Sequence, residues 1–130
     1  MRLVAKVVID ASAMLALLNG EKGAEVVAEV LADGVISSVN LSEVVAKLCD
    51  TGVPEDVIRR ILQPLGLEIE PFDEEQAYLT GLLIAVTRSS GISLGDRACL
   101  SLAKKLNAVV LTADKTWMKL SVGATIRVIR

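Results

Sequence analysis

Asp10 follows an aliphatic run over residues 4–9 and is followed two positions on by Ser12. Asp114 stands just past a second such run, residues 108–111, with Thr112 between them. Glu43 follows Asn40 by three residues, and Asp96 follows Ser93 by three. The four acids lie 33, 53 and 18 residues apart, so they can act jointly only if the fold gathers them. Gathered, they would form an all-oxygen donor set, which selects a hard divalent cation such as Mg²⁺ or Mn²⁺ over zinc. The chain has no histidine. That removes Ser-His-Asp hydrolases, Cys-His proteases and imidazole-ligated zinc hydrolases, and leaves carboxylate, hydroxyl, Lys and Arg for chemistry.

Each acid also has a purely structural reading. Asn40/Glu43 and Ser93/Asp96 have capping-box spacing, Asp114 is placed to cap a short helix, and Asp10 fits a turn acid before Ser12. The set is harder to dismiss than its members. Two unit charges about 5 Å apart repel by roughly 3 kcal/mol at an effective dielectric near 20. Helix N-termini offset about 0.3–1 kcal/mol each; a divalent cation offsets far more. Capping and metal binding are compatible, since a cap fixes a carboxylate in place.

The elements that must position these acids follow from hydrophobic periodicity. Residues 4–9 and 108–111 read as buried strands, residues 35–36 as a short one, and residues 126–129 as a closing one. Residues 67–72 alternate apolar and acidic, which suits a strand near an edge. Ser12 is a candidate cap for a helix carrying Met14, Leu15, Leu17 and Leu18 that stops at Asn19-Gly20, and residues 22–32 form a second. Residues 40–50 give the clearest helix, with Leu41, Val44, Val45, Leu48 and Cys49 on one stripe. Further helices span residues 55–63, residues 74–88 behind an Asp73 cap, and a segment opened by Ser93. The 74–88 helix is apolar nearly all round and is expected to pack on two sides. Strands alternating with helices predict a three-layer α/β/α sandwich on a parallel sheet of four to five strands, as one domain over residues 1–130. In such a sheet ligands bind outside the carboxyl ends of the strands, where all four acids fall.

Composition agrees. Apolar residues make up 52% of the chain, yet Phe72, Tyr78 and Trp117 are its only aromatics. A core of Val, Ile, Leu and Ala suits parallel strands buried on both faces. Sixteen acids against fourteen bases, net −2, exclude bulk coating of nucleic acid. Cys49 and Cys99 sit on helical apolar stripes and are expected as buried free thiols. No apolar run is long enough to span a bilayer, and the N-terminus leads to no cleavage-site pattern, so a cytosolic location is expected.

At these residues the sequence resembles the PIN domain, and in particular VapC-type toxins of VapBC toxin–antitoxin pairs. Val8-Ile9-Asp10-Ala11-Ser12-Ala13, Asn40-Leu41-Ser42-Glu43-Val44, Ser93-Leu94-Gly95-Asp96-Arg97-Ala98 and Leu111-Thr112-Ala113-Asp114 are similar, in order, to that family's four motifs. The resemblance implies a ribonuclease that hydrolyses RNA phosphodiester bonds with bound Mg²⁺ or Mn²⁺. It makes Asp10, Glu43, Asp96 and Asp114 direct or water-mediated metal ligands, with Ser12 and Thr112 orienting them. Arg97 and Lys115 adjoin two of the acids and are candidates for phosphate contacts. Many relatives carry another acid where this chain has Thr116-Trp117, which puts a second metal in question. The resemblance also implies a homodimer and a small antitoxin partner. The 79–86 segment (Leu79, Leu82, Leu83, Val86) is a candidate dimer surface. Met14, Leu15 and Leu18, with the 55–63 helix, are a candidate groove for a partner helix.

Four rival readings stand beside this one. A haloacid-dehalogenase-like phosphotransferase wants a second Asp where Ser12 stands and a lysine near Arg97, and a receiver domain wants an N-terminal acidic pair. A non-catalytic binding module would keep the acids only as caps. A housekeeping RNA-processing nuclease would use the same four acids.

Overall fold

A computed structural model of the chain describes residues 5–130. Val4, which opens the first predicted strand, lies outside that range. Five strands, β1 (Val7–Ile9), β2 (Gly34–Ser37), β3 (Glu68–Glu70), β4 (Val109–Thr112) and β5 (Thr125–Val128), form one sheet in the order β3-β2-β1-β4-β5. Every neighbouring pair is parallel, with Val8 opposite Val35 on one side and Val110 on the other.

The strands alternate their side chains between two apolar layers. Val8, Val35 and Val110 pack with Cys99, Leu100, Leu102 and Ala103 of a helix, α7 (Leu94–Leu106). Ile9, Ile36 and Leu111 face the other way, onto α1 (Ala11–Leu18), α2 (Ala24–Val30), α3 (Ser38–Asp50) and α4 (Glu55–Leu62). This is the expected three-layer sandwich, and it explains why the strands read as unbroken aliphatic runs. Both edge strands are only half-buried or exposed.

Two helices differ from expectation. The second is shorter than residues 22–32: Gly23 precedes it at φ +97, and a β-carbon there would meet Ile129 at 2.8 Å. Residues 31–33 tighten into a 3₁₀ turn. The predicted 74–88 helix is capped by Asp73 but breaks into α5 (Glu74–Leu82), α6 (Ile84–Thr87) and a 3₁₀ turn over residues 88–90. Gly81 weakens the end of α5. Thr87 Oγ1 donates to the Leu83 carbonyl at 2.8 Å, the side-chain back-bonding that competes with helical pairing. The expectation of apolar packing on two sides fails here. Gln76, Thr80, Leu83 and Thr87 are the buried residues, only one of them apolar, whereas Tyr78, Leu82 and Val86 are 63%, 69% and 58% exposed.

Candidate active site

β1 is the central strand. The chain leaves it toward β2 and β3, then crosses to β4 and β5, so strand order reverses between β1 and β4. A parallel sheet opens a crevice at such a switch point. Asp10 and Thr112 stand on either side of it. Asp10 caps α1, its Oδ1 accepting from the Ala13 amide at 2.7 Å. Ser12 was expected as that cap. It lies inside the first turn instead, because Asp10 already has the extended backbone a cap requires.

The hydroxyl of Ser12 donates to both Asp10 oxygens at 2.8 and 2.9 Å, and Thr112 Oγ1 donates to Oδ2 at 2.6 Å. Each hydroxyl in turn accepts from the backbone beyond β4: Ser12 from the Ala113 amide at 2.9 Å, Thr112 from the Asp114 amide at 3.0 Å. The ends of β1 and β4 are thereby stitched around one carboxylate. Asp10 is only 4% exposed, and among the described residues no cationic side chain pairs with it. Burial pushes its pKa up from 3.8 to about 6. The charge of Asp96 adds to that rise, and the Thr112, Ala13 and Ser12 hydrogen bonds oppose it.

Asp96 sits in the first turn of α7. Ser93 Oγ accepts from its amide and its Oδ2 accepts from the Ser93 amide, both at 3.1 Å, so the expected capping box is present. The same spacing misleads at Glu43. Strand β2 runs straight into α3, whose cap is Ser37, so Glu43 lies beyond the first turn and Asn40 is inside the helix. Asn40 Nδ2 donates to Glu43 Oε1 at 2.8 Å and to the Gly95 carbonyl at 3.0 Å. Sequence reasoning missed both Asn40 and Gly95. A β-carbon on Gly95 would fall 2.6 Å from the Glu43 carboxyl carbon, so any larger residue there would push that carboxylate out of its present position.

Cys99 lies one turn after Asp96, fully buried. Its thiol pKa is pushed up by burial first, then by the charges of Asp10, Asp96 and Glu43. Three of the four acids are therefore close enough to Cys99 for their charges to act on its thiol. Asp114 belongs to the group through its backbone. Its exposed carboxylate caps the 3₁₀ turn over residues 115–119, with Oδ1 accepting from the Thr116 amide at 2.9 Å and the Thr116 hydroxyl at 2.6 Å. Thr116 thus holds the Asp114 carboxylate through both its amide and its hydroxyl.

Among the described residues, no three acidic or cysteine side chains converge closely enough to enclose an ion alone. The donor set still fits Mg²⁺ or Mn²⁺: all oxygen, with a buried carboxylate lacking a cation. Mg²⁺ typically retains several waters beside one or two carboxylates.

Other expected residues are placed elsewhere. Trp117 is fully buried among the α7-side apolar residues, where it packs the core. Arg97 Nη1 donates to the Thr80 carbonyl at 3.2 Å, bracing α5 against α7, while Lys115 is exposed beside Asp114. Cys49 is exposed, contrary to expectation, whereas Cys99 is buried as expected. The Leu41–Val45–Cys49 row of α3 lines a groove of about 650 Å³ shared with Ile58 and Leu62 of α4, with Leu41 and Val45 half-buried against the core and Cys49 exposed at its end. Met14 is buried and plays no part in that groove. No helix among the described residues is long and apolar enough to cross a membrane.

The sequence profile of the family described as PIN domain matches residues 7–122. Among curated proteins none matches the chain. In fold it is similar to a chain in the crystal structure of DNA-bound VapBC from Salmonella typhimurium, at 18% identity and TM-score 0.75, covering 97% of this chain and 99% of that one. It is also similar to a chain of a toxin–antitoxin complex from Klebsiella pneumoniae, at 16% identity and TM-score 0.74, covering 96% and 98%. A third likeness is to VapBC2 from Rickettsia felis bound to a promoter DNA fragment, at 19% identity and TM-score 0.72, covering 93% and 96%.

Proposed function

The chain belongs to the PIN domain family, and on that premise we propose that it is a Mg²⁺- or Mn²⁺-dependent endoribonuclease, the toxin of a toxin–antitoxin pair, with residues 1–130 forming one such unit. One observation carries the reading: a carboxylate buried at the carboxyl end of the central strand, ringed by three donors, beside a second acid and without a cation. Structural economy does not favour that arrangement, because a buried unpaired charge destabilises a fold.

Asp10, Glu43, Asp96 and Asp114 would hold the ion, Asp114 from its exposed position through water. A bound divalent ion supplies an acidified water and neutralises charge developing on the phosphate. The chain's own residues set the geometry. Ser12 and Thr112 fix the Asp10 carboxylate, the capping box at the N-terminus of α7 holds Asp96 where negative charge is tolerated, and Asp114 is held as the cap of the 3₁₀ turn that follows it. Lys115, exposed beside Asp114, is the better placed phosphate contact; Arg97 is engaged with α5.

Two surfaces suit the partners. The inverted burial of α5 and α6 leaves Tyr78, Leu82 and Val86 exposed beside an apolar cleft of about 440 Å³, which fits a homodimer face. The groove between α3 and α4 fits an apolar helix of an antitoxin, and the similar structures include toxin–antitoxin assemblies. The test is RNA cleavage by purified protein. Wild type with Mg²⁺ or Mn²⁺ should cleave, EDTA should stop it, and Asp10→Asn, Glu43→Gln, Asp96→Asn and Asp114→Asn should each abolish it. Retained cleavage in any two of the four places the site elsewhere.

A further inference from the structure

Asn40 is 1% exposed, within α3, and serves no capping role because Ser37 supplies the cap. Its Oδ1 is buried with no hydrogen-bond partner among the described residues. Burying an amide costs desolvation, and leaving half of it unpaired costs more; an apolar side chain would pack the position with less penalty. What the amide does instead is specific. Nδ2 spans two acceptors on different helices, Glu43 Oε1 on α3 and the Gly95 carbonyl in the first turn of α7, one residue before Asp96. Gly95 completes the contact by lacking the β-carbon that would strike the Glu43 carboxylate.

We propose that Asn40 is a positioning residue of the acidic site, locking Glu43 against α7 and fixing the separation of the two helix turns that carry Glu43 and Asp96. Glu43 is otherwise an exposed side chain with several freely rotating bonds, and ordering such a chain costs entropy that an ion would have to overcome on binding. Asn40 removes that cost beforehand through Oε1 and leaves Oε2 without a hydrogen bond. A neutral donor suits the task. Lys or Arg in its place would compete with a divalent ion for the carboxylate, and Asp would set oxygen against oxygen at both contacts. The proposal rests on the metal-site reading above.

The test is Mn²⁺ affinity by calorimetry for wild type, Asn40→Ala, Glu43→Gln and the double variant, with melting in EDTA as a folding control. Loss of a residue that orients a metal ligand typically weakens affinity 10- to 100-fold. Asn40→Ala is expected to fall in that range. The double variant should bind within about two-fold of Glu43→Gln alone, because coupled residues are non-additive. In RNA cleavage the half-saturating Mn²⁺ should rise by the same factor, while the rate at saturating Mn²⁺ changes little. Asn40→Ser keeps a polar group too short to span both acceptors, carries the same expectation, and decides the question if Asn40→Ala does not fold. Wild-type affinity in the Asn40 variants, or fully additive losses in the double variant, overturns the proposal while leaving the metal site standing. If Glu43→Gln itself binds Mn²⁺ like wild type, the metal-site reading fails and this proposal with it.

Discussion

Replacing Asp10 by Asn should stabilise the metal-free protein, although it destroys the site. The folded chain holds the Asp10 proton more tightly than the unfolded chain, with a pKa of about 6 against 3.8. Below the lower value both states are protonated and the residue costs nothing. The cost grows between the two values and is complete above the higher one. At about 1.4 kcal/mol per pH unit it reaches about 3 kcal/mol. Asn carries no charge and escapes this. Its amide, however, faces the Ser12 and Thr112 hydroxyls, which now donate to Asp10; losing those bonds costs roughly 1–2 kcal/mol. A net gain of about 1–2 kcal/mol remains at pH 8, or roughly 4–7 °C for a chain of this length. Melting followed by circular dichroism in EDTA should show that gain at pH 8 and its disappearance near pH 4.5. Mn²⁺ at a hundred-fold excess over its dissociation constant should add about 2.7 kcal/mol to wild type only, and so reverse the order. A variant less stable than wild type at pH 8, by an amount independent of pH, would refute the reasoning.

Three further outcomes are expected. Mn²⁺ must displace the Asp10 proton, so affinity measured by calorimetry should weaken about ten-fold per pH unit below pH 6, with proton uptake by the buffer; a flat profile down to pH 5 counts against Asp10 as a ligand. Gly95→Ala should push the Glu43 carboxylate, the free end of a flexible side chain, aside with little change in melting but with weakened Mn²⁺ binding; unchanged Mn²⁺ binding would mean that the close approach is not needed. Leu82→Asp, on the exposed face of α5, should convert a dimer to a monomer in light scattering while shifting the melting temperature by no more than about 2 °C; a dimer that survives it uses another face.

The fold was largely legible because its strands are aliphatic on both faces. Val8-Ile9, Val35-Ile36 and Val110-Leu111 each supply one residue to either layer, a pattern that leaves little choice but a covered parallel sheet. Helix starts were less legible where several candidate caps compete. Ser37, Ser38 and Asn40 all qualify by type, and the direct passage from β2 into α3 decided for Ser37. The break after Leu82 depends on the Thr87 hydroxyl finding a backbone carbonyl, which periodicity does not register.

Within the site, the Asp10–Ser12 and Thr112–Asp114 pairs were visible because each contact is local or joins adjacent strand ends. Asn40 was misread as a cap because its decisive acceptor is 55 residues away. The signal available was an amide at helical spacing from an acid, beside a glycine in another helix's first turn. Buried polar residues on α5 were hidden for the same reason, since Gln76 and Thr80 find their environment on α7 rather than along their own helix.

The most direct measurement is an anomalous-scattering map from crystals grown with Mn²⁺. A peak within about 2.1 Å of an Asp10 oxygen, with Glu43 and Asp96 facing it directly or through water, is the expected result. A strong Mn²⁺ peak elsewhere, with Asp10 still bound only by Ser12, Thr112 and Ala13, would contradict the assignment of the crevice as a catalytic metal site.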